Sequence, residues 1–192
     1  MMRVITGTAR GKRLKTLEGD ATRPTSERIK GAIFSSIQFE IEGRRVLDLF
    51  AGSGQMGIEA LSRGAGSAFF VDSSREAMEI VKSNYTDCGF ADRSRTLVQD
   101  YRNYIRKASG REKFDLVFID PPYADKTALD ALSRLVDADL LSEGAIVCLE
   151  AGEEFSGNES ELSGFDVLKN TSYGKKSSVL IAVYKPAESE YV

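Results

Sequence analysis

Between Arg45 and Glu150, short apolar runs alternate with amphipathic segments, and this alternation restricts the fold more than any other property of the chain. Arg45 to Phe50, Ser67 to Asp72, Arg95 to Gln99, Phe114 to Asp120 and Ala145 to Glu150 read as strands. Gln55 to Ser62, Arg75 to Cys88, Tyr101 to Ile105 and Lys126 to Val136 read as the helices between them. The pattern predicts an α/β fold whose parallel sheet carries helices on both faces. Phe165 to Lys169 and Ser178 to Tyr184 have no helix between them and predict an antiparallel hairpin at one edge. Ahead of the sheet, a hairpin turn is expected around Gly11. A helix capped by Thr25 or Ser26 then places Ile29, Ala32, Ile33 and Ile37 on one face.

Ligands of such sheets bind at the carboxyl ends of the strands. There the run Phe114 to Ile119 passes into Asp120-Pro121-Pro122-Tyr123. An acceptor carboxylate, a proline-bent backbone with free carbonyls and an aromatic ring suit a planar base carrying an exocyclic amine. That amine is a poor nucleophile because its lone pair is delocalised into the ring. If Asp120 and the Pro121 carbonyl each accept one N–H, the nitrogen is drawn toward tetrahedral geometry and its lone pair can point at an electrophile. Tyr123 would stack on the base, a contact worth about 1–3 kcal/mol. A plain turn ending a strand uses the same residue types, so the tetrapeptide has to be weighed with what lies upstream.

Upstream, Val46 to Phe50, the turn Ala51-Gly52-Ser53-Gly54 and the segment Gln55 to Leu61 form a strand, a glycine turn and a helix in succession. The helix start offers free N–H groups to a ligand. Gly52, Gly54 and Gly57 satisfy the dinucleotide fingerprint, and Asp72, twenty residues after Gly52, fits a ribose-hydroxyl acceptor. These features serve NAD and S-adenosylmethionine alike. Asp48 begins to separate the two, because a pyrophosphate at this turn would be repelled by a second anion. A carboxylate in or beneath the pocket instead favours a sulfonium and an ammonium. Asp100 suits either an acceptor for the adenine amine or an N-cap for the helix starting at Tyr101, and both readings stand.

At 192 residues and 42% hydrophobic content, the chain fits one domain with a substantial core. No stretch approaches the ~20 apolar residues of a membrane span. The amino terminus, with Arg3, Thr6, Arg10, Lys12 and Arg13, lacks a signal-peptide apolar region, so a cytoplasmic protein is expected. Cys88 and Cys148 form no C-x-x-C pair and histidine is absent, so no metal site is expected. The net charge of −3 divides unevenly: residues 1–31 hold eight Lys or Arg against three acidic residues, +5, and the remaining 18 basic and 26 acidic residues give −8. Arg10, Lys12, Arg13 and Lys15 gather around Gly11 as a candidate phosphate grip, unless they form only a solvated basic loop.

With Asp48, the glycine turn, Asp72, Asp100 and Asp120-Pro121-Pro122-Tyr123 in order, the chain resembles the amino-group class of S-adenosylmethionine-dependent nucleic-acid methyltransferases. More closely it resembles the RsmD family, bacterial 16S ribosomal RNA guanine-N2 methyltransferases. The resemblance covers nearly the whole chain. It includes Arg3-Val4-Ile5-Thr6-Gly7 with Arg10-Gly11-Lys12-Arg13-Leu14, then Arg23-Pro24-Thr25 with Arg28, and the stretch Leu47 to Gly64.

The resemblance implies a Rossmann-like, seven-stranded class I methyltransferase sheet in residues 41–192, preceded by a small hairpin and helix extension in residues 1–40. It implies a monomer, without metal, that methylates 16S ribosomal RNA within a small-subunit particle containing ribosomal proteins. Carried over by residue, Asp120, Pro121, Pro122 and Tyr123 would hold the target base, and Arg10, Lys12, Arg13 and Lys15 the RNA backbone. Asp48, Phe50, Ala51, Gly52 and Gly54 would hold the cofactor together with Asp72, Asp100 and Tyr101, while Arg23 and Thr25 would lie beside its methionine end. Two features depart from the family pattern: Gln55-Met56 replaces a small or aliphatic pair, and the overall balance is acidic.

A DNA adenine-N6 methyltransferase would share the catalytic logic. Beyond about 150 residues for an α/β domain, however, the chain leaves no room for a separate sequence-reading domain. Two further functions are compatible with the same residues. A ribosome-assembly factor with a vestigial cofactor site would leave the intact signatures unexplained. A methyltransferase for a small amine metabolite would leave the basic hairpin without work.

Overall fold

The computed structural model describes residues 2–17, 27–122, 125–151, 162–173 and 177–186. The strands are β1 (Arg45–Asp48), β2 (Ser67–Asp72), β3 (Ser94–Val98), β4 (Phe114–Ile119), β5 (Leu141–Ala151), β6 (Phe165–Ser172) and β7 (Ser178–Tyr184). They form one seven-stranded sheet in the order β3-β2-β1-β4-β5-β7-β6. The β1–β2, β2–β3, β1–β4 and β4–β5 pairs are parallel. The carboxyl-terminal hairpin is antiparallel as expected, and β7 inserts between β5 and the edge strand β6. The helices are α1 (Glu27–Ser36), α2 (Gln55–Ser62), α3 (Arg75–Asp87), α4 (Tyr101–Ala108) and α5 (Asp125–Asp137). The cap expected for α1 at Thr25 or Ser26 lies outside the described residues. No helix among the described residues is long and apolar enough to cross a membrane.

The near-continuous apolar strands feed two cores because neighbouring side chains point to opposite faces of the sheet. On β4, Leu116 and Phe118 join Phe34, Ile58, Phe70, Met78 and Val81 in the core under α1, α2 and α3. Val117 and Ile119 join Tyr104, Ile105, Leu132 and Leu135 under α4 and α5. Several boundaries differ from the expected ones: α4 runs on to Ala108 and β6 to Ser172, three residues beyond the expected ends, and most others move by one residue. β1 stops at Asp48, not Phe50, because the chain turns out of the ladder there. β5 starts at Leu141, ahead of Ala145, because a register shift between Phe114 and Leu116 lets Leu141 pair with Phe114.

The amino-terminal segment is a short hairpin with a bridge between Arg3 and Arg13. It is tied to α2 by one buried carboxylate. Glu59 accepts from the Ile5 N–H at 2.7 Å, the Thr6 N–H at 3.0 Å and the Arg63 guanidinium at 2.9 Å. Its other partner is the Lys30 ammonium of α1, 3.3 Å away, with both side chains almost wholly buried. Lys30 also donates to the Arg3 carbonyl at 2.7 Å. Burial pulls the Lys30 ammonium below its ordinary pKa, and the attraction of Glu59 opposes that shift. Such a network holds because every member is paired, and removing one member leaves buried charge behind.

Glu59→Ala should therefore cost about 3–5 kcal/mol of unfolding free energy in a urea titration. A loss below about 1 kcal/mol, the scale of an exposed pair, would show that Glu59 does not hold the amino-terminal segment to the sheet.

Candidate active site

The order of the parallel strands reverses between β1 and β4, and in open α/β sheets the crevice opens at such a point, at the carboxyl ends of the strands. The glycine turn crosses it. The Leu49 N–H donates to the Phe118 carbonyl of β4 at 3.1 Å, and the Ala51 N–H to the Val71 carbonyl of β2 at 3.1 Å. The turn is thus pinned to the strands on either side. Gly54 closes it with a 2.6 Å bond to the Ala51 carbonyl and stands before α2 with φ 77°, a left-handed conformation suited to glycine. At Gly57 the need is space: a Cβ would lie 2.4 Å from the Phe70 ring, so only glycine lets α2 approach β2 so closely.

The acidic residues divide by depth. Asp48 lies beneath the turn, only 3% exposed, and its Oδ2 accepts from the Gly57 N–H at 3.0 Å. Burial pushes its carboxyl up to about 8; the Gly57 N–H opposes this, and the carboxylates of Asp120 and Asp72 add to it. Asp72 accepts from the Gly52 N–H at 2.9 Å through Oδ2 and from the Ser74 N–H at 2.8 Å through Oδ1. Each oxygen keeps a lone pair for a ligand. Asp100 caps α4, Oδ1 accepting from the Arg102 and Asn103 N–H groups at 3.0 and 3.3 Å. The cap reading is therefore realised, and Asp100 also borders the cleft.

A cleft of about 250 Å³ is lined by Leu49, Phe50, Asp72, Ser73, Gln99, Asp100, Tyr101, Pro122 and Thr127. Phe50 and Tyr101 meet with ring centroids 5.1 Å apart. The Tyr101 hydroxyl donates to Asp130 of α5 at 2.7 Å, and Arg134 also donates to that carboxylate, at 2.8 Å. The Arg134 hydrogen bond is the main cause holding the Asp130 carboxyl down at about 2, so it stays an acceptor for Tyr101. Apolar walls, an aromatic pair and acceptor carboxylates suit an adenosine. The described lining holds no Lys or Arg, and a pyrophosphate there would face carboxylates. The donor set therefore fits S-adenosylmethionine better than a dinucleotide.

The structure brings Phe50, Asp72, Asp100 and Tyr101 together with Pro122 around one cleft. Ala51, Gly52 and Gly54 form its turn, and Asp48 supports that turn from below. Asp120 and Pro121 are half-buried where β4 ends, whereas Arg23, Thr25 and Tyr123 lie outside the described residues. Arg10, Lys12 and Arg13 are exposed on the hairpin and make no ion pair among the described residues. Lys15 differs from them. Its ammonium is taken up on α3 by Ser83 at 2.6 Å and Asp87 at 3.2 Å. Leu49, Ser73, Gln99 and Thr127 were not singled out by the sequence; the first three adjoin residues that were, and that adjacency at strand ends was the available signal.

The family described as Conserved hypothetical protein 95 matches residues 2–182. The chain is 37% identical over 186 residues, 96% of its length and 98% of the relative's, to "Putative rRNA methyltransferase YlbH" of Bacillus subtilis (strain 168). It is 30% identical over 155 residues, 80% of each chain, to "Ribosomal RNA small subunit methyltransferase D" of Haemophilus influenzae. Among solved structures, "Putative methyltransferase yhhF" from Escherichia coli superposes with a TM-score of 0.86 at 25% identity, covering 97% of this chain and 99% of that one.

The raised Asp48 carboxyl gives a prediction of definite sign. The folded protein keeps this proton up to about 8, whereas an unfolded Asp releases it near about 3.9. Stability from this group is complete below the unfolded value and is lost as pH rises through that window. Melting temperatures of the ligand-free protein should fall between about pH 5 and about pH 8. Asp48→Asn, whose side-chain oxygen can still accept from Gly57, should flatten most of that slope. An equal slope in the variant would place its origin elsewhere.

Proposed function

The chain belongs to the Conserved hypothetical protein 95 family, the RsmD family, and from that premise we propose that it is an S-adenosylmethionine-dependent methyltransferase acting on the exocyclic N2 amine of a guanine in 16S ribosomal RNA. The observation that carries this reading is the shared cleft. Pro122, next to Asp120 and Pro121 at the end of β4, lines the same cleft as Phe50, Asp72, Asp100 and Tyr101. A base held by the tetrapeptide would therefore sit at the mouth of the adenosine site.

The cofactor, when bound, supplies a methyl group activated by a sulfonium. The residues of the chain do the rest. Phe50 and Tyr101 would wall the adenine, Asp72 would accept from ribose hydroxyls, and Asp100 would offer its second oxygen to the adenine amine. Asp48, whose buried carboxyl keeps its proton up to about 8, supports the turn through the Gly57 N–H and does not supply the negative charge expected of it from the sequence. Asp72 and Asp100 carry the acidic character of the cleft. Arg23 and Thr25 are the candidates that would hold the methionine end. Asp120 and the Pro121 carbonyl each accept an N–H of the target amine and aim its lone pair, while Tyr123 stacks on the base. The hydrogen bond to Asp120 would also give the surplus proton a way out as the new nitrogen–carbon bond replaces the methyl–sulfur bond, whose electron pair stays on a neutral thioether.

Residues 1–40 serve as the RNA-facing extension, and residues 41–192 as the catalytic domain. Arg10, Lys12 and Arg13 take phosphates, and Lys15 adds its charge from α3. An acidic catalytic body with a basic extension is a poor general RNA binder. It suits a cytoplasmic monomer that meets its guanine on a small-subunit particle, where ribosomal proteins have already shaped the RNA.

The test is to supply labelled S-adenosylmethionine with naked 16S RNA, small subunits from a strain lacking the gene, or DNA, and to identify the modified nucleoside. N2-methylguanosine from the subunits is expected, and N6-methyladenosine in DNA would overturn the reading. Asp120→Ala should keep cofactor affinity while lowering turnover about 10²–10³-fold. Equal loss of both would make Asp120 a structural residue. Replacing Arg10, Lys12 and Arg13 together with Ala should raise the KM for subunits and shallow its salt dependence, with cofactor affinity unchanged. An unaltered KM would remove the hairpin from RNA contact.

A further inference from the structure

Both ends of the amino-terminal hairpin arrive at one residue of the glycine turn. The hairpin is closed by the Leu14 N–H donating to the Met2 carbonyl at 3.0 Å. At one end, the Ser53 hydroxyl donates to the Met2 sulfur at 3.0 Å. At the other, Lys15 is held through its backbone by Asn84 of α3. Its N–H donates to Asn84 Oδ1 at 2.8 Å, and Asn84 Nδ2 donates to its carbonyl at 3.0 Å. Asn84 Nδ2 donates also to the Ser53 carbonyl, at 2.9 Å.

Asn84 is only 1% exposed, on a face of α3 whose other buried residues are Ala77, Met78 and Val81. Packing alone would be met there by an apolar residue. The amide instead spends its acceptor and both donors on joining the hairpin to the turn. The peptide unit between Ser53 and Gly54 is thereby fixed from both sides: its carbonyl is held by Asn84, and its N–H donates to Ala51 at 2.6 Å. That peptide sets the course of the chain from the cleft into α2.

We propose that Asn84 is a positioning residue that couples the hairpin to the cofactor turn, so that RNA and cofactor each bind more tightly in the presence of the other. This rests on the function proposed above. A ligand that orders one end of the clamp pays part of the ordering cost of the other end, which gives positive cooperativity without a large rearrangement. The coupling is reciprocal by thermodynamic linkage.

The probes are S-adenosylhomocysteine, which does not react, and small subunits from a strain lacking the gene. In the wild-type protein, saturating subunits should tighten S-adenosylhomocysteine binding by about fivefold or more. In Asn84→Ala the tightening should fall below about twofold, although each ligand still binds alone. Wild-type binding without tightening, or full tightening in the variant, overturns the coupling and leaves the proposed function standing. Absence of any S-adenosylhomocysteine binding by the wild type overturns the cofactor reading and the coupling with it. Hydrogen exchange on the wild-type protein gives a readout independent of the variant's folding. S-adenosylhomocysteine should slow exchange of the Lys15 amide, and an unchanged rate there overturns the proposal.

Discussion

The hydrogen bond from the Gly57 N–H to Asp48 locks α2 onto the end of β1, and the whole cleft depends on that junction. It requires a helix without a side chain at Gly57, since the Phe70 ring occupies the space a Cβ would need. It also requires a carboxyl group in the core, whose proton is retained because burial disfavours the anion. Once α2 is seated, the turn has one course across the sheet, tied to β4 at Leu49 and to β2 at Ala51. Asp72 then reaches the Gly52 N–H, and the cofactor cleft opens beside the end of β4. A stabilising core and a functional crevice are here built from the same few contacts.

Much of this was legible in the sequence because it follows from periodicity and strand ends. The apolar runs, the edge hairpin and the acids closing each strand all lie within windows of a few residues. Contacts between distant segments were not legible. Glu59 reads as an ordinary polar residue between Ile58 and Ala60, yet it binds Ile5 and Thr6 across more than fifty positions. Asn84 meets Lys15 at a separation of 69 and Ser53 at 31. Nothing local marks either residue. Lys15 shows the same limit from the other side. The sequence groups it with Arg10, Lys12 and Arg13, but α3 takes its ammonium. The cleft residues Leu49, Ser73 and Gln99 were hidden differently, since each stands beside an expected residue and only the end of a strand decides which neighbour faces inward.

The amino-terminal hairpin is tied to the rest of the chain at two places of different character. Near the end of α2, a buried ionic network around Glu59 anchors the hairpin and α1. At the start of α2, neutral hydrogen bonds through Asn84 and Ser53 reach the glycine turn. A helix of eight residues spans about 12 Å, so the extension follows α2 for its full length. The basic charge of this chain is thus mounted on the element that also shapes the cofactor site. The remainder carries an acidic excess unsuited to gripping RNA by itself.

The central claim is that the strand-end carboxylates and the Asp120-Pro121-Pro122 segment belong to one methyl-transfer site. A crystal structure with S-adenosylhomocysteine tests it most directly. The account predicts the ribose hydroxyls on Asp72, the adenine beside Phe50 and Tyr101, and the sulfur directed toward Asp120. A ligand seated away from this cleft, or one whose sulfur points away from the end of β4, would contradict it.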